Sequence, residues 1–235
     1  MQRRDFVKLC VGGAATTVAA SHLALADKAD AVPKLYDKAR LLDEFGKPLK
    51  ASSLKANTNY IFHYPFQGTP CFLLNLDKPA QGNIALKTSD GKPYLWKGGV
   101  SAKKTIVAYS AICAHRLNYP TKQLTFISFR DKKTEHASRD NIIHCCSEHS
   151  EYDPAAGAKV INGPAPQPLA AILLEYDEAT DGLIAVGTFG GEMFNEFFRK
   201  FEFKLNMEYG GKAQKTVATA TVTELTNFCK QQIQC

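Results

Sequence analysis

The chain has 235 residues, 45% hydrophobic and 22% charged, with 29 Lys and Arg against 23 Asp and Glu, a composition that excludes disordered, collagenous and coiled-coil chains. A mean hydropathy of −0.23 excludes a polytopic membrane protein, and the length allows one full domain with additions or two small ones, with a core that needs no disulfide staples. The net charge of +6 is spread thinly, and no run of five or more Lys or Arg occurs, which argues against nucleic acid as a partner.

The N-terminus begins Met1-Gln2-Arg3-Arg4-Asp5-Phe6-Val7-Lys8 and continues through an apolar stretch from Leu9 to Leu25. A positive start, an apolar middle and the small-residue pattern Ala24-Leu25-Ala26 have the order of an export signal, with cleavage expected before Asp27. Gly12, Gly13, Thr16, Thr17, Ser21 and His22 dilute the apolar stretch below what a membrane span requires. The paired arginines with Phe6 and Lys8 resemble the twin-arginine signal, which exports folded proteins; a general secretory signal and an uncleaved anchor are the alternatives. Loss of residues 1–26 removes Arg3, Arg4, Lys8 and Asp5, leaves a net +4, and retains Cys71, Cys113, Cys145, Cys146, Cys229 and Cys235. An exported compartment permits disulfides, so each cysteine is a candidate bridge, ligand or core residue.

Residues 27–59 are polar and mixed, and read as an irregular lead-in with one short helix near Tyr36–Leu42. From 60 to 190 short β-like runs alternate with turn signals: Tyr60–Tyr64, Cys71–Leu76, Thr105–Ile112, Leu124–Phe129, Asn141–Cys145, Leu169–Tyr176 and Leu183–Thr188. This spacing predicts an all-β domain, a sandwich or barrel of antiparallel strands. Over 191–235 the period changes. Phe194, Phe197, Phe198 and Phe201 fall on one helical face, more often a core face than a membrane or partner face, and Thr221 with Glu224 would cap a second helix over Val222–Gln232. The last segment is therefore expected to be a helical extension.

Two short pieces carry soft and borderline metal ligands. Cys113-Ala114-His115 is a C-x-H, and Cys145-Cys146-Ser147-Glu148-His149 contains a C-x2-H as Cys146 and His149. Two cysteines and two histidines on two loops can bind Zn²⁺ tetrahedrally, or a [2Fe–2S] cluster with both cysteines on one iron and both histidines on the other.

With these two pieces and a proline-rich loop downstream, Gly163-Pro164-Ala165-Pro166-Gln167-Pro168-Leu169, the sequence resembles the Rieske iron–sulfur family over roughly residues 100–190. The resemblance implies a Rieske-type antiparallel β fold with a cluster-binding subdomain. It implies Cys113, His115, Cys146 and His149 as cluster ligands, Ser150 and Tyr152 as hydrogen-bond donors to the cluster, and Gly163 and Pro164 in the loop that covers it. The chain departs from the family in three ways. Asn118 and Ser147 or Glu148 stand where many members carry a bracing pair of cysteines. The gap between the two boxes is long, with a charged insertion over Asp131–Asp140. Finally, aligning Ser150 and Tyr152 with the family's serine and tyrosine requires the other register, in which Cys145 is the ligand and Glu148 takes the histidine's place. The C-x2-H spacing favours Cys146 and His149, because imidazole suits the second iron better than carboxylate; Cys145 remains the alternative.

A cluster with this ligation moves one electron, so the resemblance implies an electron-transfer subunit without catalytic residues of its own. Its place would be the periplasm, with a cytochrome, a catalytic oxidoreductase subunit or a quinol as redox partner, and with membrane contact only through a retained signal or its complex. A subunit that keeps the fold around an altered or empty site is the alternative, and a zinc-stabilised binding module is a third reading. Elsewhere, His63 reads as a strand residue, His136 as a loop residue and His144 as a neighbour of the site. Cys71 reads as core, and pairings among Cys71, Cys145, Cys229 and Cys235 remain open.

Overall fold

The computed structural model describes residues 31–235; the expected export signal and the cleavage expected before Asp27 lie outside the described residues. The chain is mostly β. Its main sheet has eight strands, in the spatial order Thr219–Thr221, Lys34–Leu42, Gly182–Phe189, Ala171–Asp177, Ile106–Ser110, Pro70–Asn75, Tyr60–His63 and Thr223–Glu224. The two edge strands are adjacent in sequence, joined only by the buried Val222. The sheet therefore curls until its edges nearly meet, and barrel-like curvature disposes of the unpaired edges that a flat sheet would expose.

The strands expected between 60 and 190 form, with one broken: the run from Leu124 splits into Leu124–Thr125 and Ile127–Arg130. The lead-in departs from expectation. Lys34–Leu42 is a strand rather than a short helix, hydrogen-bonded between Gly182–Phe189 and Thr219–Thr221. Ala39 and Leu41 are fully buried while Lys38 and Arg40 face outward, the period of a strand.

A second sheet of four strands, ordered Lys159–Asn162, Ser150–Asp153, Ile142–Cys145 and Ile127–Arg130, carries the second cysteine motif. It shares one apolar core with the face of the main sheet that carries Phe72, Leu74, Val107 and Tyr109, and that core includes Cys113, Cys145 and Tyr152, while the opposite face, with Ala39, Leu41, Leu73 and Ala185, encloses a core of its own.

The C-terminal segment is only partly helical. Helix Met193–Lys200 buries Met193, Phe194, Phe197 and Phe198 in the shared core and helix Glu202–Tyr209 buries Leu205 there, so the phenylalanine stripe is a core face. Gly210, with φ +57°, ends the second helix in the left-handed region. In place of the helix expected over Val222–Gln232 there is one turn, Leu225–Phe228, between strands Thr223–Glu224 and Gln231–Gln232. Thr221 cannot cap a helix because it pairs with Leu42. Gln231–Gln232 runs parallel to Leu124–Thr125, and the Ile233 N–H donates to the Thr125 carbonyl over 2.9 Å. This leads the terminal Cys235 to the back of the second sheet, where it forms a disulfide with Cys146. Among the described residues no helix is long and apolar enough to cross a membrane.

Candidate metal centre

The first motif lies in a tight turn just beyond strand Ile106–Ser110. The Cys113 N–H donates to the Asn118 carbonyl at 2.8 Å, and the Leu117 N–H returns to the Cys113 carbonyl at 2.9 Å. Helix Met193–Lys200 supports this turn from below. Tyr119 packs edge-on against Phe197, with ring centroids 4.9 Å apart, and Lys200 Nζ donates to the Arg116 carbonyl at 2.7 Å. The second motif forms the connection of a hairpin in which Cys145 pairs with Ser150, so that residues 146–149 make the turn. His149 adopts φ +55° there, a conformation that favours glycine. Gly163 presses onto this turn: a Cβ on it would lie 2.4 Å from the His149 carbonyl oxygen and 2.6 Å from Ser150 Cα. Only glycine, which here has φ +83°, lets the proline-rich loop close over the hairpin.

Side chains alternate between faces along a strand, and this alternation sorts the second motif. Ile143 and Cys145 point into the shared core beside Cys113. His144 and Cys146 belong to the other face, where Cys235 meets both. The structure therefore joins Cys113 to Cys145 rather than to Cys146. Both thiols of the Cys113–Cys145 pair are free and buried. The expected set of Cys113, His115, Cys146 and His149 is not brought to one point, because the Cys146 sulfur is bonded to Cys235 and His149 lies among His136 and His144, with ring centroids 5.3 and 5.6 Å away.

Several donors converge on Cys113. The Cys145 thiol hydrogen-bonds to it, the Tyr152 hydroxyl lies 3.4 Å from its sulfur, and the backbone N–H groups of His115 and Arg116 also point to it. Because the Ala114 N–H donates to the Tyr152 oxygen at 3.1 Å, the hydroxyl proton is left for the sulfur. With Cys145 as the largest contributor, these donors outweigh burial and draw the Cys113 thiol down to about 6. Cys145 is driven upward, first by donating to Cys113 and then by its burial. A thiolate held in a cradle of donors is the form in which cysteine binds metal.

Two buried polar atoms beside this pair have no partner, His115 Nδ1 and Ser150 Oγ; orphans of this kind call for an explanation such as a bound group. Glu148, at the tip of the second turn, reaches the first turn, with its carboxylate 3.4 Å from Arg116 Nε. Two thiols, an imidazole nitrogen and a carboxylate thus stand on the two facing loops. They match a cluster with mixed cysteine and histidine ligation at three places and depart from it at the fourth.

A second group of metal-capable side chains lies behind the strand: ligand atoms of His144, Cys146 and Cys235 all fall within 4.8 Å of one another. Burial lowers His144 below the ordinary histidine value. Cys71 and Cys229 are core residues whose thiols donate to the carbonyls of Tyr64 and Gln231, each over 3.1 Å. The Cys146–Cys235 bridge, across 89 residues, lies outside the pairings left open by the sequence because the C-x2-H spacing marks Cys146 as a metal ligand.

No family model matches the chain. Among solved structures it is similar to the soluble domain of Rieske protein II (soxF) from Sulfolobus acidocaldarius. The identity is 26%, over 65% of this chain and 78% of that one, with a TM-score of 0.44.

Proposed function

We propose that the protein is a one-electron carrier that holds a [2Fe–2S] cluster between its two loops. The observation that carries this reading is the Cys113–Cys145 pair: two free, buried thiols from separate loops, hydrogen-bonded to each other and to a tyrosine. Cys113 and Cys145 would hold one iron, and His115 through Nδ1 with Glu148 would hold the other. A bound cluster of this type supplies reversible transfer of a single electron at a potential set by its ligands and their hydrogen bonds.

The chain's own residues define how that centre would behave. The Tyr152 hydroxyl, with its oxygen occupied by the Ala114 N–H, stabilises negative charge on the Cys113 sulfur. Ser150 Oγ is buried with no protein partner and is free to donate to the bound group. Gly163 and the buried Ala165 and Leu169 press the proline-rich loop onto the hairpin and exclude water from the thiol side. Arg116 and Glu148 are exposed at the tip, where a redox partner would approach within electron-transfer distance. A carboxylate in place of a neutral imidazole adds negative charge next to the iron, which favours the oxidised state and puts the potential in the lower part of the roughly −150 to +300 mV range of such centres.

The expected setting is the periplasm, as a subunit of a quinol:cytochrome c reductase-like or other periplasmic oxidoreductase complex, with a cytochrome or a catalytic subunit as partner. The test is an iron and acid-labile sulfide assay, with an EPR spectrum of the reduced full-length protein from a host able to export folded proteins. Two irons and two sulfides per chain, with a rhombic signal of low average g, are expected. An iron-free, EPR-silent protein would leave the fold serving as a structural or assembly subunit around an altered site, and zinc at Cys113 would point to a binding module.

A further inference from the structure

We propose that the back of the Ile142–Cys145 strand carries a second, thiol-gated metal site, in which reduction of the Cys146–Cys235 disulfide lets both sulfurs, with His144 and His149, bind one Zn²⁺. Cys145 turns inward, so its neighbours His144 and Cys146 share the opposite face. The C-terminal strand Gln231–Gln232 then carries Cys235 onto that face. His144 Nδ1 lies 3.6 Å and its Nε2 3.9 Å from the Cys235 sulfur, and the ligand atoms of all three residues sit within 4.8 Å of one another. In a tetrahedral zinc site with two sulfurs and two nitrogens, ligand atoms stand roughly 3.3–3.8 Å apart, so shifts of about 1 Å would complete the geometry.

The fourth ligand is at hand. The His149 ring lies 5.6 Å from that of His144 and, with Cys146 and Cys235, lines an open cavity of about 610 Å³. His136, 5.3 Å from His149 by ring centroids, lines the same cavity and is the nearest further imidazole. The cavity also gives a small reductant access to the sulfur pair. Two cysteines and two histidines suit Zn²⁺ in both charge and softness.

Opening the bridge requires a reductant such as a dithiol as co-reactant. A dithiol delivers two electrons and two protons and closes to its own cyclic disulfide, while the Cys146–Cys235 S–S bond breaks to give two thiols. Zn²⁺ then displaces both thiol protons to solvent and keeps its oxidation state. Either the disulfide or the metal would pin the C-terminal tail to the second hairpin.

The test counts zinc on the full chain. The protein is reduced with a thiol-free phosphine, desalted under argon, exposed to excess Zn²⁺, freed of unbound metal and analysed for zinc per chain. One zinc more than the oxidised protein takes up is expected. The same treatment should add no zinc to Cys235→Ser or Cys146→Ser, should bind at least about tenfold more weakly in His144→Ala, and should still add one to Cys113→Ser. No uptake on reduction, or equal uptake by Cys235→Ser, would overturn the proposal. Because Cys113 and Cys145 take no part here, failure of the zinc count leaves the iron assay unaffected, and the converse also holds.

Discussion

Removing one oxygen atom probes the thiol pocket most sharply. In Tyr152→Phe the ring stays in a fully buried position, but the hydroxyl 3.4 Å from the Cys113 sulfur disappears and the Ala114 N–H, now 3.1 Å from that oxygen, loses its acceptor. A buried donor left unpaired costs about 1–3 kcal/mol of stability. The redox effect follows from the other side of the same hydroxyl. A hydrogen bond to a charged acceptor is worth about 1.5–3 kcal/mol against about 0.5–1.5 for a neutral one. The added electron therefore strengthens this bond by roughly 1–1.5 kcal/mol. At about 59 mV per 1.36 kcal/mol for one electron, its loss lowers the potential by roughly 40–65 mV. Denaturant unfolding measures the first quantity and spectroelectrochemistry the second. A cluster-loaded Tyr152→Phe protein with unchanged potential would refute the claim that Tyr152 acts on a cluster-bound sulfur.

Glu148→His exchanges a charged donor for a neutral one. Replacing two thiolates by two imidazoles separates potentials near −400 mV from the −150 to +300 mV range, so one removed charge should raise the potential by about 100 mV or more, read in the same titration. Phe197→Ala removes a fully buried ring that packs on Tyr119 under the first loop. It should cost about 3–5 kcal/mol in denaturant unfolding and speed the loss of iron. His63 responds to acid: burial, aided by the Lys122 charge, lowers it from 6.5 to about 4. The unfolded chain protonates it below pH 6.5 while the folded chain does not, so stability falls between pH 6.5 and about 4 and levels off below. A His63→Gln protein should lack that part of the pH dependence in unfolding midpoints.

The middle strands were legible because β-branched and aromatic runs lie between glycine and proline turns, from Tyr60 to Thr188. Lys34–Leu42 was not. Its apolar residues Leu35, Tyr36, Ala39, Leu41 and Leu42 suit a helical period as well as a strand, and pairing on both sides decides between them. The helix expected after Val222 failed for the same reason, since Thr221 and Thr223 are claimed by Leu42 and Ile61 across the sheet. At the centre, the C-x2-H spacing selected Cys146 and His149. The signal for Cys145 was already present in Ser150 and Tyr152, whose positions agree with a ligand one residue earlier, and in the alternation of a strand ending at Cys145. What spacing could not supply was Cys235. It reaches Cys146 only because the tail pairs with Leu124–Thr125 far away in sequence, and a bridge depends on geometry rather than on separation along the chain.

The proposed centre depends on Cys145, not Cys146, completing the thiol pair that would hold the cluster. Iron content and EPR amplitude of Cys145→Ser and Cys146→Ser, each purified beside the unaltered protein, test this assignment. Cys145→Ser should lose both iron and signal, while Cys146→Ser should keep both and lose only its bridge to Cys235. A Cys146→Ser protein without iron beside a fully loaded Cys145→Ser would contradict it.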